Sequence, residues 1–293
     1  MPDIQIQKAV QKEDFLRALA FVLPHEKTCC ALTRRILDRE DGVYLIVHGG
    51  GKGHPVVEGV FFFIDDDILL PCLSGIRACA LKALAAFLEG KKLFCISALE
   101  DDLSKIRGIL PRLPAPPGIR ESRRYYFMEH RDREAARRAI GSLPEGFRIE
   151  LARTADEAAL LPLHLAYMRE EVLLKGRKLN EEFEKGQLRE ALSREIVVMA
   201  ASGEEGEPPR IAAKAGTNAI ASTVMQLGGV YTVQEERGRG IAAALTAFLA
   251  ESAAKKGMST VLFVGKGNPS AVAAYRKAGF QDSGKEYTIE YYE

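Results

Sequence analysis

Apolar positions along the first 130 residues change period in a fixed order. Alternation at period two marks Ile4 to Lys8, and helical spacing follows over Lys12 to Leu23 and Lys27 to Arg39. Three short runs rich in β-branched and aromatic residues come next: Val43 to His48, Val56 to Ile64 and Ile68 to Ser74. Helical spacing returns at Ile76 to Leu88, a strand-like run at Lys92 to Leu99, helical spacing at Asp101 to Leu110, and alternation at Arg124 to His130. The three consecutive phenylalanines Phe61, Phe62 and Phe63 fit a strand covered on both faces. The pattern predicts strand, two helices, three strands, helix, strand, helix, strand.

From Phe147 the same order begins again, without recognisable sequence identity. Phe147 to Ala152 reads as a strand, Ala155 to about Lys175 and Asn180 to about Ser193 as helices, and Ile196 to Ala201 as a strand. A turn from Gly203 to Pro209 leads to two strands, Arg210 to Thr217 and Ala219 to Leu227, with Asn218 at the turn. Gly228-Gly229 interrupts the strand-like run into Val233, which predicts a bulge or close backbone approach. A helix from Ile241 to Lys256, expected to bury Ile241, Leu245, Phe248 and Leu249, a strand from Thr260 to Val264, a helix from Asn268 and a hairpin over Phe280 to Tyr292 complete the series. Between the halves lie an Arg/Glu/Ala-rich stretch and a Gly-Ser-Leu-Pro-Glu-Gly breaker. The division expected is 1–130, a linker at 131–146, and 147–293, in line with a length of 293 residues and about 150 per domain.

Composition narrows the class. The chain is 47% hydrophobic and 28% charged with a net charge of +1, so no strong field draws it to nucleic acid or an anionic membrane. No apolar run approaches the roughly 18 residues of a membrane span, and the N-terminus lacks a signal peptide's order. A cytoplasmic protein is expected. The five cysteines, Cys29, Cys30, Cys72, Cys79 and Cys95, are odd in number and form no C-x-x-C, which points to reduced thiols. No metal site is expected; His48 and His54 flank the Gly49 to Gly53 run, which reads as a hairpin tip.

The chemistry concentrates in Arg237-Gly238-Arg239-Gly240-Ile241-Ala242-Ala243. A strand (Val230 to Val233) that turns through two glycines into a helix leaves several N–H groups facing one concavity, where the helix dipole favours an anion. It is neither a Walker loop, which needs G-x-x-x-x-G-K-[ST], nor a Rossmann turn, since Ala243 stands at the third glycine and no acidic residue follows at the right distance. It does fit [RQ]-x-x-G-x-[GA] through Arg237, Gly240 and Ala242. Downstream, Asn268 and Pro269 start a helix that Gly279 stops, with Asn268, Ala271 and Tyr275 on one face. The run reads N-x-x-A-x-x-x-Y-x-x-x-G-F.

These two motifs, in this order, resemble those of the GNAT (Gcn5-related N-acetyltransferase) superfamily. The resemblance implies an α/β (α+β) fold with a mixed, mostly antiparallel, splayed sheet flanked by helices. The repeated pattern extends it to two copies in tandem. The first copy reads Pro71-Cys72-Leu73-Ser74-Gly75-Ile76-Arg77 where the loop should stand, so it is expected to be degenerate and to scaffold the second or complete its acceptor cleft.

For the second copy the resemblance implies acetyl-CoA as co-substrate. Its pyrophosphate would lie on the amides of Gly238 to Ala243, with Arg237 and Arg239 as charged contacts. Its pantetheine would pair with Tyr231, Thr232 and Val233, and Asn268 and Ala271 would line it. Tyr275 stands at the position of the general acid. The base is less legible: Gln226 occupies the strand position where many members carry Glu, leaving Glu170, Glu171 or a water relay. The function implied is transfer of an acetyl group from the thioester to an amine, on a small molecule or a peptide. The alternative is a non-catalytic acyl-CoA-binding or regulatory module. No nucleic-acid or membrane partner is expected, and a homo-oligomer is left open.

Overall fold

The computed structural model describes residues 4–49, 55–203 and 209–293. The expected hairpin tip from Gly50 to His54 and most of the turn before Pro209 lie outside them. The chain forms two compact units, Met1–Phe127 with Gly284–Glu293, and Met128–Ser283.

The first unit holds β1 (Ile4–Lys8), α1 (Lys12–Val22), α2 (Cys30–Leu37), β2 (Val43–His48), β3 (Val56–Phe63), β4 (Ile68–Cys72), α3 (Ala78–Leu88), β5 (Cys95–Leu99), α4 (Glu100–Arg107) and most of β6 (Ile119–His130). β1 to β5 lie side by side in chain order. All neighbours are antiparallel except β4 and β5. The Phe triplet on β3 explains the layering. Phe61 and Phe63 pack with Leu84 and Leu88 of α3 and Leu103 and Ile106 of α4. Phe62 points the other way, to Phe15 and Val22 of α1 and Leu32 and Ile36 of α2. Period-two alternation thus feeds two cores, each aromatic ring contributing a few kcal/mol of burial.

The parallel pair β4/β5 is held only at Ile68 with Cys95 and Leu69 with Ile96. Farther along, Leu73 N–H donates to Asp102 Oδ2 at 3.1 Å, and Leu73 O accepts from Lys105 Nζ at 3.0 Å. Side chains of α4 therefore take up the backbone groups of the strand's extension.

The second unit opens with α5 (Arg133–Gly141), where a linker was expected. Its alanines lie on one side, with Ala136 and Ala139 buried, and its arginines on the other. Asp132 caps it by accepting from Ala135 N–H at 2.9 Å. Then come β7 (Arg148–Leu151), α6 (Glu157–Tyr167), a π turn (Met168–Val172), α7 (Glu181–Arg194), β8 (Val197–Ser202), β9 (Arg210–Ile220), β10 (Val224–Thr232), α8 (Ile241–Lys255), β11 (Ser259–Gly265), α9 (Pro269–Lys277) and β12 (Phe280–Tyr292). Arg133 of α5 grips Glu251 of α8 through two bonds of 2.8 and 2.9 Å. The strands run β11-β10-β9-β8-β7, with β10/β11 the parallel pair. From β7 the order of elements repeats that of the first unit.

Three expectations are corrected here. Asn218 is no turn residue: β9 continues to Ile220, and the turn falls at Ala221 to Thr223. Asn218 is an extra residue in the ladder, and its amide fills the space over Gly228 so closely that any Cβ there would clash. The terminal hairpin is one strand, β12, with Gly284 at φ +77° where the chain passes into the first unit. There Tyr287 to Tyr291 pair antiparallel with β5. Phe248, expected in the core, is 37% exposed; the buried face of α8 is built largely from alanines, including Ala243, Ala244, Ala247 and Ala250.

Candidate active site

The site begins where β10 leaves β11. The two strands pair in parallel from Val224 with Ser259 to Leu227 with Leu262. Just beyond, the β9/β10 register shifts between Gly228 and Tyr231, the bulge that Gly228-Gly229 predicts. Gly229 takes φ +60°. Thr232 Oγ1 is buried and has no hydrogen-bond partner. An orphaned hydroxyl beside a parted strand is a place prepared for a polar ligand chain.

After Thr232 the chain makes a short turn at Gln234–Glu236 and enters the loop. Gly238 and Gly240 stand at φ +78° and +85°, conformations in which a side chain is strained. Gly240 is the N-cap of α8, and Ala244 N–H, on Gly240 O at 3.0 Å, is the first amide of that helix with a backbone acceptor. Among the described residues the amides of Gly238 to Ala243, Ile241 and Ala242 included, have none. Unpaired amides at a helix start are where an anion would be held.

The loop's arginines are engaged within the protein. Arg237 donates to Glu170 Oε2 at 2.6 Å and to Thr232 O at 3.0 Å, and lies over the Tyr231 ring. Arg239 pairs with Glu236, which also holds Arg210 at 2.9 Å. Glu236 is 5% exposed and ties the loop down. A different cation reaches the concavity: the Lys277 amine of α9 stands 3.0 Å from where a Cβ of Gly240 would be. Periodicity could not have singled out Lys277, because only the docking of α9 brings it to the loop.

The π turn delivers Glu170 and Glu171 to two different partners. Glu170 accepts the Tyr231 phenol at 2.6 Å as well as Arg237, and these donors, Tyr231 first, hold its carboxyl below the usual range. Glu171 accepts from Asn268 Nδ2 at 3.1 Å. Asn268 Oδ1 meanwhile caps α9 through Ala271 N–H at 3.0 Å. Tyr275 is 9% exposed; burial, then the charges of Tyr167 and Glu171, push its phenol well above the ordinary value. Val233 packs at the margin of the core formed by Tyr231 and Leu160. The structure thus gathers Tyr231, Arg237, Glu170, Glu171, Asn268 and Tyr275 around the end of β10.

It also adds residues the sequence reading missed. Lys214 of β9 is 6% exposed, opposite Tyr231 in register, with its amine on Gly229 O at 3.0 Å and over the Tyr167 ring at 4.8 Å. Behind it His164 Nε2 lies 3.3 Å from Glu184. The available signal was a single lysine inside Ile-Ala-Ala-Lys-Ala-Gly, an otherwise apolar strand. Among the described residues no cluster of His, Cys, Asp or Glu could hold a metal ion, and no helix is long and apolar enough to cross a membrane.

Residues 162–280 match the acetyltransferase (GNAT) family. Among solved structures the chain is similar to an acetyltransferase of the GNAT family from Colwellia psychrerythraea, at 14% identity and a TM-score of 0.54, over 98% of this chain and 99% of that one. It is similar to a Drosophila protein at 14% identity and 0.64, over 99% of both. It is also similar to a tandem GNAT protein from the clavulanic acid biosynthesis pathway, at 11% identity and 0.60, over 99% of this chain and 98% of that one. At such identities the likeness is one of fold, the mixed α/β fold of the GNAT acetyltransferases. No curated protein matches the chain.

Proposed function

We propose that the second unit is an acetyl-CoA-dependent N-acetyltransferase that passes the acetyl group directly to an amine on a small molecule or peptide. The observation that carries this reading is the coincidence of three features at the end of β10. They are the unpaired amides of Gly238 to Ala243, the parted strand with the orphaned Thr232 hydroxyl, and Tyr275 on the neighbouring helix. Acetyl-CoA would supply an acyl group activated as a thioester. The loop amides and the Lys277 amine would hold its phosphates, in place of the engaged Arg237 and Arg239. Backbone groups of Tyr231, Thr232 and Val233 would pair with its amide chain as another strand would. Asn268 and Ala271 would line the same slot.

Tyr275 would give its proton to the departing sulfur. A phenol held neutral by burial keeps that proton until an anion forms beside it. Glu170, a weakened base, would fix Tyr231 and Arg237, and Glu171 would fix Asn268 in the slot. Free thiols at all five cysteines suit the cytoplasm proposed as its compartment.

The test is thiol release from acetyl-CoA against a panel of amines. Tyr275→Phe should lower kcat by roughly 10²-fold, the low end of general-acid effects, with CoA affinity unchanged. Full activity of this variant would remove Tyr275 from the reaction. Lys277→Ala should weaken CoA binding by about tenfold, worth one exposed phosphate contact, and flatten its salt dependence. Unaltered affinity would return the phosphates to the amides alone. Binding of CoA without turnover of any amine would instead favour a non-catalytic acyl-CoA sensor, the reading that Gln226 in place of a strand carboxylate supports.

A further inference from the structure

Burying an ammonium without a carboxylate is costly, so a folded chain that does it needs a reason. Among the described residues Lys214 makes one hydrogen bond, to Gly229 O, and one ring contact, to Tyr167, and forms no ion pair. The titratable groups around it are His164 and Tyr167 of α6, Tyr231 of β10, Glu170 of the π turn, and Glu184 of α7 behind His164. On β8 its partner in register is Met199. His164 is pushed down to about 4 by burial and then by the lysine's charge, so it stays neutral at pH 7. Glu170 is occupied by Tyr231 and Arg237, and Glu171 by Asn268. That leaves the amine at the bulge.

We infer that Lys214, as the free amine, is the base that takes the proton released when the acceptor amine attacks the acyl group. The inference rests on the acyl-transfer reading of the second unit. Its geometric ground is the bulge: Gly229, at φ +60°, accepts from the Lys214 amine at 3.0 Å just beyond the last pair of β10 with β11, where donor and acceptor would meet. Burial pushes the Lys214 amine down to about 8, so a useful fraction is uncharged near neutral pH.

In the step the acceptor nitrogen bonds to the acyl carbon and the carbon–sulfur bond breaks. Lys214 Nζ gains the proton that the nitrogen loses, directly or through one water. The sulfur takes a proton from Tyr275, which solvent restores as Lys214 gives its own up. No oxidant or metal enters the balance.

The experiment uses the full chain labelled with [ε-13C]lysine, the variants Lys214→Met and Lys214→Arg, and acetyl-CoA with an amine found active. One lysine should titrate near pH 8 without any ligand, and its signal should be absent from Lys214→Met. Wild-type kcat/KM should rise with an inflection at that same pH. Both variants should lose roughly 10²-fold to 10⁴-fold in kcat/KM together with the inflection, while CoA affinity stays unchanged. A Lys214 that remains charged through pH 10, or a Lys214→Arg enzyme that keeps its rate, would overturn the assignment. An inactive wild type would sink the acyl-transfer reading as well; an active wild type with an active arginine variant would sink this inference alone.

Discussion

Gly240→Val leaves the chain folded and weakens CoA binding by more than about 100-fold. Gly240 stands at φ +85°, where a β-branched residue is a genuine outlier, so the loop must shift to relieve it. The flexible Lys277 amine can move out of the way of the new side chain; the backbone cannot keep its aim. Each charge-assisted hydrogen bond to a phosphate contributes about 1.5–3 kcal/mol, so losing two costs a factor of roughly 10² to 10⁴ in affinity. The strain itself costs only about 1–2 kcal/mol of stability. Calorimetry with CoA beside a thermal unfolding curve separates the two effects, and retained affinity in a folded variant would dislodge the loop assignment.

Lys214→Met is the second large effect, and its sign is opposite to that of an ordinary core substitution. The lysine titrates at about 8 when folded and 10.5 when unfolded. Below pH 8 both states are charged and the full burial penalty is present. Between 8 and 10.5 the unfolded state binds more protons, so stability recovers as pH rises. At about 1.36 kcal/mol per unit the penalty at pH 7 is roughly 3 kcal/mol. Losing the bond to Gly229 O returns about 1 kcal/mol, leaving a net gain of about 2 kcal/mol. Urea unfolding should show the methionine variant more stable at pH 7 and the advantage gone near pH 10.5. A variant less stable at pH 7 would mean that Lys214 is a structural support.

The repeated order of elements was legible because each depends on local periodicity. The Phe61 to Phe63 triplet announced a strand covered on both faces, and Gly228-Gly229 announced a bulge. What escaped depended on distance in sequence. Asn218 looks like a turn residue, yet its amide is needed over Gly228 ten positions later. Gly284 looks like a hairpin turn, but the strand runs on to pair with β5, nearly two hundred residues earlier. The Arg/Glu/Ala-rich stretch of α5 resembled a linker, and Glu251 of α8 is its distant partner. In the site, the loop glycines and the Asn268 to Tyr275 face were visible as motifs. The engagement of Arg237 by Glu170, the approach of Lys277 and the burial of Lys214 are tertiary facts with no local signature.

On the proposed reading the second unit alone holds CoA, because Asp102 and Lys105 take up the backbone of Leu73 in the first. Titration of CoA into the full chain by calorimetry tests it directly. One molecule should bind per chain, with binding lost in Gly240→Val. No binding at roughly several hundred micromolar CoA, or two molecules per chain, would contradict it.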